Sequence, residues 1–67
     1  QYFYVNILNF TGTAFIVIKN AVGESVSKIK AGITNAATFY IPIDNLPSGE
    51  YTIFITTAYR YYGVFLL

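Results

Sequence analysis

Catalysis by a nucleophile needs a base beside the attacking group, and this chain offers few. Its serines are Ser25, Ser27 and Ser48, and it contains no histidine and no cysteine. Asp44 and Glu50 have the residue types of a glycoside-hydrolysing carboxylate pair. They flank the Asn45-Leu46-Pro47 turn, however, where acidic side chains ordinarily just solvate a loop. Glu24, Asp44 and Glu50 are scattered singly and lack the spacing of a calcium loop. Without His or Cys the usual nitrogen and sulfur ligands of zinc are also missing. No catalytic, metal-binding or cofactor-binding residue is therefore expected. The tyrosines are the chemistry-bearing set. Tyr59, Tyr61 and Tyr62 surround Arg60, while Tyr2 and Tyr4 alternate near the start. Aromatic platforms bind sugars and protein partners, and Tyr with Arg is enriched at interface hot spots. The competing reading is that such tyrosines pair across neighbouring strands and stabilise the sheet.

The elements that would position these rings are strands. β-branched and aromatic residues dominate, and Gly, Asn or Pro interrupts them about every ten residues. Strands are predicted near 2–9, 13–20, 25–30, 36–43, 50–57 and 60–67. Asn9-Phe10-Thr11-Gly12 and Asn20-Ala21-Val22-Gly23 each place an early Asn before a late Gly, as tight turns require. Leu46-Pro47-Ser48-Gly49 fits a type I turn, and Ala31 to Asn35 reads as the loosest connection. Thr57-Ala58-Tyr59-Arg60 carries no strong turn residue. Asn9-Phe10-Thr11 also matches the N-glycosylation pattern, but a turn role for Asn9 is the better reading. Pro42 cannot donate to a ladder, which puts its strand at an edge or a bulge.

Period two then assigns faces. Phe3, Val5 and Ile7, then Ala14, Ile16 and Ile18, then Phe39, Ile41 and Ile43, then Tyr51, Ile53 and Ile55 form inward-facing sets. Leu46, Phe65 and Leu67 complete a candidate core. The opposite set is also apolar: Tyr2, Tyr4, Leu8, Phe15, Val17, Tyr40, Phe54, Val64 and Leu66. A strand exposed on one face should alternate apolar with polar residues, so this second apolar face calls for cover.

At 67 residues the chain is one domain, too short for a large core and without a disulfide to staple it. Shielding by a partner is what remains. Net charge is +1, with Lys19, Lys28, Lys30 and Arg60 the only basic residues. That is thin for phosphate-backbone binding, so no nucleic-acid partner is expected. Lys28 and Lys30 point to one side of their strand and read as guards of an exposed edge. The apolar run Ala14 to Ile18 is far too short for a transmembrane helix. A start at Gln1 rather than Met reads as a processed or truncated product.

From Ala14 to Leu67 the chain resembles a known family. An apolar strand leads to Asn20-Ala21-Val22-Gly23, then a polar strand, then Asp44-Asn45-Leu46-Pro47-Ser48-Gly49-Glu50-Tyr51, and finally Tyr62-Gly63-Val64-Phe65. This pattern is similar to the small secreted immunoglobulin-like β-sandwich domains of Bacteroidetes, a family of unknown function. The Asn45 to Gly49 turn also resembles the C-terminal sorting domains of type IX secretion, although the lysine-bearing last strand of those domains is missing here. The resemblance implies an antiparallel immunoglobulin-like sandwich of about six strands spanning residues 1–67, with the family's N-terminal strand shortened or absent. It also implies a place in the periplasm, at the cell surface or in the secreted fraction. No functional residue is carried over from the family.

The expectation is thus a non-enzymatic structural or adaptor module that docks on a larger protein, such as an outer-membrane or cell-surface complex, or forms a homo-oligomer. Its contacts would be Tyr2, Tyr4, Phe15, Val17, Tyr40, Phe54, Tyr59 and Tyr61. Strand addition at an open sheet edge is the expected geometry. The alternative is a carbohydrate- or ligand-binding module that uses the tyrosines.

Overall fold

The computed structural model describes all 67 residues. The chain is all-β: β1 (Tyr2–Leu8), β2 (Gly12–Asn20), β3 (Ser25–Ile33), β4 (Ala36–Pro42), β5 (Glu50–Thr56) and β6 (Arg60–Leu66). These six strands form two antiparallel sheets, β1–β4 and β3–β2–β5–β6. The two sheets face each other as a small antiparallel β-sandwich.

Each reversal has a local cause. At the β2–β3 turn the Asn20 side-chain oxygen accepts from the N–H groups of Val22 (3.2 Å) and Glu24 (2.9 Å). Gly23 sits there at φ 86°, in the left-handed region that favours glycine. Opposite Ile18 and Lys19 the register shifts by one residue, a bulge that leaves Val26 of β3 as the extra residue. The β1–β2 and β3–β4 connections both cross between the sheets, and they hold each other. The Phe10 N–H donates to Asn35 O (3.0 Å), and the Asn35 N–H donates to Thr11 Oγ1 (3.0 Å). Asn9 and Asn35 carry positive φ in these links, 55° and 68°, which Asn tolerates better than most residues. Asn9 is therefore a turn residue by its backbone as well as by its sequence context.

The third crossing, from β4 to β5, is fixed by Tyr51, whose hydroxyl donates to Pro47 O at 2.6 Å. A tyrosine hydroxyl bonding back to the backbone a few residues upstream, at the start of a strand, is also the geometry of the tyrosine corner described for immunoglobulin-like sandwiches. Pro42 ends an edge strand, as its missing N–H requires. The Ile43 N–H donates to Gln1 O, so alternation puts the Tyr2–Pro42 pair at a position where no ladder bond is needed.

The core lies between the sheets and consists of Val5, Ile7, Ala14, Ile16, Ile18, Ile33, Ile41, Tyr51 and Ile53. Phe3, Phe39, Ile55 and Phe65 pack against it, as their phase in the strands requires, and Leu46 does so from the β4–β5 connection. Three expectations need correction. The third strand runs past residue 30 to Ile33, because Thr13 and Gly12 continue to pair with Gly32 and Ile33; Ile33 is buried, not part of a loose link. Phe10 packs against the core although it sits in a turn. Leu67 is exposed and Ile43 only half-buried, so neither belongs to the buried core.

Candidate functional site

The outer face of the four-stranded sheet can be read directly from its register. Val17 is flanked by Lys28 on β3 and Phe54 on β5, and Phe54 in turn pairs with Tyr62 on β6. One step along the strands lie Lys30, Phe15, Thr56 and Arg60; one step the other way lie Lys19, Thr52 and Val64. Leu66 closes the face beside Glu50. All four basic residues of the chain therefore share this face, and Glu50 is its only acid.

The cations and rings are in contact. Lys19 Nζ lies 5.5 Å from the Phe54 ring centroid and Lys30 Nζ 5.8 Å from that of Phe15. Each ammonium is thereby held over the face instead of swinging away from it. Between the charges runs a contiguous apolar strip of Phe15, Val17, Phe54, Tyr62, Val64 and Leu66. Val17 is half-buried and the others are exposed, Tyr62 and Leu66 by three-quarters or more (78% and 76%).

The outer face of β1–β4 is different in kind, because it carries no charged side chain. Tyr4 packs edge-on against Tyr40 with centroids 4.9 Å apart, and Tyr2 against Tyr40 at 6.4 Å. Beside this trio Thr38 Oγ1 donates to Asn6 Oδ1 at 2.8 Å. Tyr59 and Tyr61 form a third group at the β5–β6 turn, 6.5 Å apart and edge-on. They line a cleft of about 570 Å³ together with Leu8, Phe10 and Ile55. A neighbouring cleft of about 310 Å³ opens between β1 and β6, with Phe3, Val5, Ile53 and Gly63 in its walls.

The eight residues expected to bind a partner thus divide by location. Phe15, Val17 and Phe54 share one outer face, Tyr2, Tyr4 and Tyr40 share the other, and Tyr59 and Tyr61 stand apart at one end. Sequence reasoning left Lys19, Lys28, Lys30, Arg60 and Tyr62 out of the site. Strand parity puts Lys19 with Phe15 and Val17 on β2 and Arg60 and Tyr62 with Val64 on β6, but that these strands present one common face follows only from the pairing of β2 with β3 and β5 and of β5 with β6.

Asp44 and Glu50 stay apart in role. Asp44 Oδ1 and Oδ2 accept from the Gln1 amino group at 2.7 and 2.8 Å, whereas Glu50 opens β5 on the basic face. No group of three metal-ligating side chains is brought together, and no helix is long and apolar enough to cross a membrane. Comparison with protein-family models, with curated proteins and with solved structures finds no match.

Proposed function

We propose that this chain is a non-enzymatic docking module whose basic, aromatic sheet face binds a partner protein carrying acidic groups around an apolar patch. The observation that carries this reading is the convergence of Lys19, Lys28, Lys30 and Arg60 on the same face as Phe15, Val17, Phe54 and Tyr62. An apolar centre with a charged rim is the usual anatomy of a protein interface, and Tyr and Arg are its commonest anchors. The resemblance to small secreted sandwich domains supports a place in the periplasm or at the cell surface.

The test is cross-linking in the native envelope fraction with the wild-type chain and with a Lys28→Glu, Lys30→Glu, Phe54→Asp variant of unchanged circular dichroism. A discrete protein captured by the wild type and lost with the variant supports the reading. Equal capture by both, or none by either, removes it.

A second reading is favoured by the uncharged tyrosine trio. Tyr2, Tyr4 and Tyr40, with Asn6 and Thr38 beside them, offer ring faces and hydrogen-bonding groups to a neutral sugar. Binding on a glycan array that disappears with Tyr40→Ala supports this alternative, and a blank array rules it out.

A further inference from the structure

We infer that two copies of this chain pair edge to edge through β6, antiparallel about a two-fold axis passing beside Val64. β6 ends the four-stranded sheet, so one side of its backbone has no strand against it. Gly49 and Leu67 exchange both backbone hydrogen bonds, at 3.0 and 2.9 Å. Alternation along the ladder then has Phe65, Gly63 and Tyr61 bonding to β5. The N–H and C=O groups of Arg60, Tyr62, Val64 and Leu66 therefore point away from the sheet.

The other four-stranded edge, β3, carries Lys28 and Lys30, and β4 carries Pro42, both recognised devices against strand pairing. β6 has no proline, and its only charge is Arg60 at the first position.

The occupant that fits this edge is β6 itself. With Val64 opposite Val64 of a second copy, Tyr62 stands opposite Leu66 and Gly63 opposite Phe65. The first two pairings place apolar side chains together on the outer face. The third fills a real gap: Gly63 lines the cleft between β1 and β6, and a Cβ there would meet only Ile53 Cγ2, at 3.9 Å. The Phe65 ring of the second copy packs on its own Phe3 and Tyr51 at 4.7 and 5.6 Å, and its exposed edge would border this notch, an aromatic beside an edge glycine. A register centred on Gly63 would set glycine against glycine and leave the notch empty. A two-fold interface needs one patch complementary to itself, and Tyr-Gly-Val-Phe-Leu supplies it. The pairing uses the β6 edge and the Tyr62, Val64 and Leu66 end of the outer strip, whereas Lys28 and Lys30 of the basic face lie on β3 at the opposite edge of the sheet.

Sedimentation equilibrium of the 67-residue chain, over a concentration range from about 1 μM to about 1 mM, tests this pairing. The wild type is expected to show a monomer–dimer equilibrium. Val64 is exposed on the sheet face, so Val64→Lys and Val64→Glu should each keep the native circular dichroism. Each should sediment as a monomer, because residue 64 meets its own copy and like charges directly opposite repel. An equal mixture of the two should recover the dimer. A wild type monomeric throughout, a Val64→Lys dimer as tight as wild type, or no recovery on mixing each overturns the inference. A Lys28→Glu, Lys30→Glu variant alters the basic face on β3 and leaves β6 unchanged, so it should dimerise as the wild type does and the two readings fail separately.

Discussion

The Tyr51 hydroxyl donates a 2.6 Å hydrogen bond to the carbonyl of Pro47, four residues earlier. Tyr51 is almost wholly buried, its ring stacked on Phe65 at 5.6 Å, so one side chain ties the β4–β5 crossing to the core. Tyr51→Phe keeps the stacking and removes only the hydroxyl. The expected cost is about 1–2 kcal/mol, because the carbonyl loses a part-buried partner. In urea the unfolding midpoint should fall while the slope stays constant, the signature of lost stability in an unchanged fold.

The Asn20 side chain caps the β2–β3 turn by accepting from two backbone N–H groups and donating to Glu24 Oε1 at 3.1 Å. Every partner is exposed, so water replaces much of what is lost in Asn20→Ala, and about 1 kcal/mol is expected. Gly23→Ala at φ 86° forces a side chain into the left-handed region and should cost about 1–2 kcal/mol. Amide hydrogen exchange should rise first at the β2–β3 hairpin in both variants, before any global loss of protection.

Gly12 and Gly32 belong to neighbouring strands and should respond oppositely to the same change. At Gly12, φ is 147° and an added Cβ would lie 3.0 Å from Phe10 Cζ, so Gly12→Ala must both strain the backbone and displace a ring packed on the core. About 1–3 kcal/mol of destabilisation is expected. At Gly32 nothing lies within 4 Å of an added Cβ, and φ is outside the left-handed range. Gly32→Ala should raise stability by about 0.5–1 kcal/mol, through reduced freedom of the unfolded chain. Thermal melts of the two variants should move in opposite directions.

The fold was legible because turn residues and period-two alternation agree along most of the chain. Asn20, Gly23 and Pro47 all stand where the turns form, and Val5, Ile16, Ile41 and Ile53 all face inward. Ile33 escaped because Gly32 and Thr34 give it loop-like neighbours, and only its pairing with Gly12 shows it to be strand. The basic face escaped for a different reason. Lys19, Lys28, Lys30 and Arg60 lie on three strands, and whether they share a side depends on which strands pair and in what register, which no residue type announces. Local chemistry reads out from sequence, whereas cross-strand register does not.

Ile53 and Phe54 are adjacent on β5 and point to opposite faces, which allows the interface reading to be separated from a structural one. Ile53 is 6% exposed inside the core, so Ile53→Ala should cost about 2–5 kcal/mol. A core of this size rarely yields more than about 3–5 kcal/mol in total, so that variant should be largely unfolded at room temperature. Phe54 is 39% exposed, and what it contributes to the fold is its cross-strand contact with Val17 and Tyr62. Such pairs are worth about 0.2–1 kcal/mol each, so Phe54→Ala should remain folded and soluble. Circular dichroism and urea titration of the two variants provide the measurement. If Phe54→Ala unfolds as Ile53→Ala does, the outer face is part of what holds the sandwich together, and its rings are not held in reserve for a partner.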